Sequence, residues 1–139
     1  MIPSNQRQLV QSTWRIAKRD ADGLTRLFYG RLFEAAPAVR GLFPDDMDDQ
    51  RAKLAAVLDA AVVGLSNLNT IMTDLHALGE RHVAYGAEPE HYPVVGETLL
   101  WALDKHLGEQ FTPEAREAWS STIDVLASVM IHAQECAVG

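Results

Sequence analysis

Four polar side chains stand where helical spacing points to the inside of a protein. Gln50, Leu54, Val57 and Ala61 follow one another by four, three and four residues, so an amide heads an apolar helical face. Leu75, Leu78 and His82 are spaced by three and four, so an imidazole ends a second face. Tyr92, Val95 and Leu99 repeat the pattern with a phenol at its head, while Tyr29 lies one turn before Phe33 and beside Phe28. An imidazole can ligate a metal, and a phenol or an amide can donate a hydrogen bond to a polar guest. Buried without partners these groups would each be costly, so the set calls for a shared partner. Taken singly, each also has an ordinary reading: a satisfied histidine at the end of a stripe, a core tyrosine with a wet hydroxyl, a solvated glutamine at a helix start.

Several other chemistries are excluded. The nine glycines are scattered and none opens a helix after a strand, which removes a phosphate-cradling loop. No His-Glu-x-x-His helix occurs, and one cysteine cannot build a thiolate zinc site. The run Asp45-Asp46-Met47-Asp48-Asp49 lacks the glycine and the closing glutamate of a calcium loop, and reads as a solvated helix entrance. Cys136, near the C-terminus and with no base partner in view, reads as an incidental thiol.

The elements that must position these residues are helical almost throughout. No alternating apolar run is joined by an Asn-Gly or Asp-Gly pair, so strands are not expected. Ser4 is a candidate cap for a first helix carrying Leu9, Val10, Thr13, Trp14 and Ala17. A second helix carries Leu24, Leu27, Phe28, Leu32 and Phe33 and ends at Pro37. Residues Ala38 to Phe43 form a short turn of helix, and the aspartates then lead into a helix bearing Leu54, Val57, Leu58, Ala61, Val62 and Leu65. Ile71 to His82 form the next, stopped by Gly86; Pro89 opens a helix through Leu103 that Gly108 ends, and Thr112-Pro113 starts the last, to about Cys136. Counting short pieces, about seven or eight helices are expected in a single all-α domain spanning 1–139.

Composition agrees. A chain of 139 residues, 47% hydrophobic and 22% charged, can bury a core without disulfide or metal staples. Twelve Lys and Arg against nineteen Asp and Glu give a net charge of −7, which argues against nucleic acid and anionic membranes as partners. No apolar run nears the ~20 residues of a membrane span, and the N-terminus has no secretory pattern. With a lone cysteine, the expected location is the reducing cytoplasm.

The order of motifs resembles a known family. Phe28-Tyr29-Gly30-Arg31-Leu32-Phe33, then Pro37-Ala38-Val39-Arg40-Gly41-Leu42-Phe43, then Asp49-Gln50-Arg51, is similar to bacterial haemoglobins of the Vitreoscilla type and the haem domain of flavohaemoglobins. Arg81-His82, His91-Tyr92-Pro93-Val94-Val95-Gly96-Glu97, Leu99-Leu100 and Ala118-Trp119 continue the resemblance, which covers essentially the whole chain. It implies a globin fold around one haem b (iron protoporphyrin IX).

The resemblance also implies roles. His82 would be the metal ligand, leaving the opposite face of the iron open to O₂, NO or CO. Phe43 would pack on the macrocycle, Leu54, Val57, Val95 and Leu99 would line an apolar pocket, and Arg81 would reach a propionate in a pair worth ~1 kcal/mol or less. Tyr29 and Gln50 would be the distal hydrogen-bonding pair, with Phe28 beside them, and Tyr92 would support the proximal histidine. The family's supporting glutamate on the last helix is matched here by Gln134, with Glu135 next along; an amide is the weaker acceptor, so a weaker electron push is expected. No flavin- or nicotinamide-binding reductase is expected on this chain. Reversible, high-affinity O₂ binding is therefore the first reading. NO dioxygenation with a flavin reductase in trans is the second, a homodimer is allowed, and a haem-free helical interaction module is the rival. A gas sensor is a further option, though no output domain is expected here.

Overall fold

A computed structural model describes residues 2–67, 77 and 91–138. Among them are helices α1 (Ser4–Ala17), α2 (Ala21–Ala35), α3 (Asp48–Val63), α4 (His91–Leu107) and α5 (Pro113–Val138), joined in part by short 3-10 turns, and no strand. The expected helix from Ile71 to His82, with Gly86 and Pro89, lies outside the described residues.

Local chemistry sets the ends. The Ser4 cap is not what the structure shows: Ser4 is the first helical residue, Pro3 holds the flanking position at φ −60° and ψ 152°, and no side chain caps the helix. The Pro3 carbonyl accepts from Arg7 N at 3.0 Å instead, a role proline can fill because it needs no N–H of its own. Asp20 caps α2, accepting from Gly23 N at 3.1 Å. Ala36, before Pro37, leaves the α region at φ −138°, and a 3-10 turn over Pro37–Leu42 follows, starting and ending one residue before the expected turn of Ala38 to Phe43. Asp48 and Asp49 occupy the first turn of α3, where carboxylates meet the positive end of the dipole. Gly108 stops α4 with φ +60°, and Thr112 Oγ1 caps α5 by accepting from Ala115 N at 3.1 Å.

Two helix pairs carry the core: α1 lies along α5, and α2 along α4. Trp119, Leu24, Leu65, Leu103 and Val10 are among the most deeply buried side chains. Trp14 and Trp119 meet edge to face with centroids 6.3 Å apart, and the Trp119 indole N–H donates to Thr13 Oγ1 at 2.8 Å, so neither polar tip is left dry. Truncating such a buried indole costs ~3–5 kcal/mol. α3 is fastened across the top of α1: Trp14 Nε1 donates to Asp59 at 2.9 Å, Lys18 Nζ reaches the same carboxylate at 3.3 Å, and Gln11 Nε2 donates to the Val62 carbonyl at 3.1 Å. Both α3 and α4 lean on α2 more than on each other. That leaves α2 as the shared floor on which the polar residues converge.

Candidate functional site

The centre of the site is one contact between α2 and α3. Gln50, in the first turn of α3, donates from Nε2 to the Tyr29 hydroxyl oxygen at 3.0 Å. Tyr29 is buried, and three aromatic rings surround it: Phe28 at 4.9 Å edge to face, Phe43 at 5.6 Å and Phe33 at 5.9 Å, with Phe33 and Phe43 themselves 5.5 Å apart. Burial pushes the Tyr29 phenol above its ordinary range, and the Gln50 hydrogen bond pulls it only partly back. The phenol is therefore a protonated donor at neutral pH. Its oxygen already accepts from Gln50, so its own hydrogen is left for something else in an apolar, water-poor setting. The sequence put these two residues on separate stripes; the structure brings them together.

Phe43 reaches this cluster because of a residue that periodicity did not single out. Arg40, at the end of the 3-10 turn, donates from Nη1 to the carbonyls of Phe43 (3.2 Å) and Pro44 (3.0 Å), and from Nη2 to that of Asp45 (3.3 Å). Its guanidinium also lies 4.9 Å from the centre of the Phe33 ring. One cation thus ties the turn that carries Phe43 to the helix that carries Tyr29. A cation at the end of a helical turn is a signal for capping of open carbonyls, and could have been read as such. Asp22 and Arg51 are a second such pair: Arg51 Nε lies 3.4 Å from Asp22 Oδ1 across α2 and α3.

The remaining expected pocket residues lie on α3 and α4. Leu99 is buried in the core and Leu54 is partly buried against it. Val57 and Val95 each keep 37% exposure and Leu42 keeps 44%, on the same elements as Gln50, Tyr92 and Phe43's neighbour turn. Exposed apolar side chains on the helices that carry the Tyr29–Gln50 pair fit a flat, largely apolar group such as haem. Tyr92 has a buried hydroxyl oxygen, and burial pushes its phenol upward as well. It also lines a cavity of about 340 Å³ between α4 and α5, together with Gly96, Leu100 and Ile123. Arg81 and His82 lie outside the described residues, and the comparison of Gln134 with Glu135 falls on side chains outside them too. Among the described residues no group of three or more His, Cys, Asp or Glu could hold a metal ion. No described helix is long and apolar enough to cross a membrane.

Similarity to known proteins runs along nearly the whole chain. A flavohemoprotein of Bacillus subtilis is 30% identical over 134 residues, and one of Rhodopirellula baltica is 32% identical over 134 residues; each alignment takes in 94% of this chain. The chain spans about a third of the length of these two relatives, 34% and 33%. Neuroglobin-1 of Oncorhynchus mykiss is 29% identical over 143 residues, covering 93% of this chain and 90% of its own. Among solved structures, an engineered carbene transferase derived from a candidate nitric oxide dioxygenase of Rhodothermus marinus superposes with a TM-score of 0.90 at 25% identity, covering 99% of this chain and 96% of its own. A bacterial globin from Campylobacter jejuni gives 0.88 at 24% identity over 98% and 99% of the two chains. The Globin family description itself matches residues 26–130, from within α2 to deep in α5. That stretch contains Phe28, Tyr29, Phe43, Gln50 and Tyr92, and the chain belongs to the globin family.

Proposed function

We propose that this globin holds one haem b, with His82 as its protein ligand, and binds O₂ reversibly. The observation that carries the reading is the Gln50–Tyr29 hydrogen bond inside a wall of phenylalanines. Haem, when bound, would supply the iron that takes a diatomic ligand. Tyr29 and Gln50 act on that ligand from the protein side: O₂ gains negative charge on binding, and a phenol O–H aimed at it makes a charge-assisted bond. CO gains far less charge and benefits less. Phe43 and Phe33 exclude water around the pair, Val57 and Val95 offer the apolar surface that a macrocycle requires, and Phe28 packs edge to face on the tyrosine ring.

The visible spectrum of the purified protein tests this. A Soret band that shifts with CO, lost in His82→Ala and restored by added imidazole, is the expected result. A colourless protein that takes up no hemin would leave a haem-free helical module.

The likeness to flavohemoproteins favours a second reading, NO dioxygenation, in which O₂ and NO give nitrate and a flavin reductase acting in trans restores the iron. Following nitrate formation and re-reduction by a supplied reductase separates the two. Sustained turnover would support dioxygenation, and a single turnover without re-reduction would support carriage.

A further inference from the structure

Arg51 is a cation in the first turn of α3, the end of a helix where the dipole disfavours positive charge. Its side chain is only 14% exposed, and it has two carboxylates: Asp48 on its own turn and Asp22 on α2, with Arg51 Nε 3.4 Å from Asp22 Oδ1. Asp22 divides its oxygens, giving Oδ2 to Arg26 Nε at 2.6 Å. Asp22 and Tyr29 lie seven residues apart on α2, two helical turns along one face. Gln50 and Arg51 are consecutive on α3. Two rungs therefore join the same face of α2 to the same turn of α3: Tyr29 to Gln50, and Asp22 to Arg51.

We propose that the Asp22–Arg51 rung positions Gln50, fixing the rotation of the first turn of α3 so that its amide meets the Tyr29 oxygen. The far end of α3 is secured separately, by Trp14 and Lys18 on Asp59 and by Gln11 on the Val62 carbonyl. Loss of the Asp22–Arg51 rung therefore leaves the helix docked while its first turn can swivel. Gln50 and Arg51 cannot move independently, since they share that turn. Arg51 is a positioning residue: it acts through Gln50 and makes no contact with a ligand. The proposal deepens the reading of Tyr29 and Gln50 as the ligand-facing pair, and its kinetic arm rests on that reading.

The test uses Asp22→Asn and Arg51→Gln in the full chain, with Arg26→Gln as a control that removes the other partner of Asp22. Two readouts are taken: the nuclear Overhauser cross-peak between the Gln50 side-chain amide and the Tyr29 ring, and, in the CO form, the C–O stretching frequency with the O₂ dissociation rate. The expected result is a weakened cross-peak, a stretch moved toward its unbonded value and O₂ release faster by about two- to five-fold in both variants. Arg26→Gln leaves all three unchanged, and Asp22→Glu, which keeps the charge, retains the wild-type stretch. Asp22 is an exposed near-isosteric site, so Asp22→Asn keeps the test open where Arg51→Gln folds poorly. An unchanged cross-peak and stretch in Asp22→Asn overturns the proposal. A protein that takes up no haem overturns the haem reading instead, and the cross-peak then decides the positioning role alone.

Discussion

Because Gln50 donates to the Tyr29 oxygen, the phenolic hydrogen points away from it, and removing that hydrogen is the sharpest single-atom change available. In Tyr29→Phe the ring keeps its packing on Phe28, Phe33 and Phe43 while the donor is lost. One charge-assisted bond of ~1.5–3 kcal/mol corresponds to O₂ release about one to two decades faster, with CO release changed far less. Stopped-flow displacement of O₂ by CO measures this, and an unchanged O₂ rate would remove Tyr29 from the ligand site. Of the site, Tyr29, Gln50, Phe28 and Phe33 were legible in the sequence because each breaks or fills a helical stripe, whereas Phe43 came only from the family resemblance. Arg40 and the Asp22–Arg51 pair were not legible. Their partners are backbone carbonyls or a carboxylate 29 residues away, and period within one helix says nothing about which exposed charge will find which helix end.

At the scale of the helices, α4 and α5 pass close to one another at Gly96. A β-carbon on Gly96 would lie 3.0 Å from Ile123 Cγ2. Isoleucine is β-branched and stiff in a helix, so that methyl cannot swing away cheaply. Gly96→Ala gains ~1 kcal/mol of helix propensity but meets an overpacking cost of ~1–3 kcal/mol, and net destabilisation is expected in urea unfolding. In an Ile123→Ala background the crowding is gone and the same change should stabilise by ~1 kcal/mol. A sign that stays the same in both backgrounds would show that Gly96 marks no close contact. Most helix ends were legible from local chemistry: Pro37 after α2, Gly108 after α4 and Thr112-Pro113 before α5 all act as their residue types suggest. Ser4 was misread because Ser and Pro both suit a helix start, and only the backbone angles of Pro3 show which one flanks it. The close passage at Gly96 was invisible for a different reason: a glycine inside a helical pattern does not say whether another helix crosses it.

For the molecule as a whole, the pH limits of stability follow from where charge is placed. The Trp14 indole N–H, and after it Lys18, hold the Asp59 carboxyl below its ordinary value of 3.8, and Arg26, aided by Arg51, does the same for Asp22. A lowered folded-state value means that the stabilisation is present above 3.8 and is lost as pH falls through the folded value. On the alkaline side the buried phenols of Tyr29 and Tyr92 are raised above 10.0, so their contribution is intact below 10.0 and disappears as pH rises past it. Between these limits the contributions of Asp22, Asp59, Tyr29 and Tyr92 are flat. Asp59→Asn separates the acid limb from general charge effects. The asparagine carbonyl can still accept from Trp14, but it does not titrate, and Lys18 loses its ionic partner. Urea midpoints followed by tryptophan fluorescence should then be lower than wild type near neutral pH, with the gap closing as pH falls below 3.8 because the wild type loses there what the variant never had. A gap of constant size down to the lowest pH would mean that Asp59 holds α3 to α1 by packing alone, and that acid sensitivity arises elsewhere in the fold.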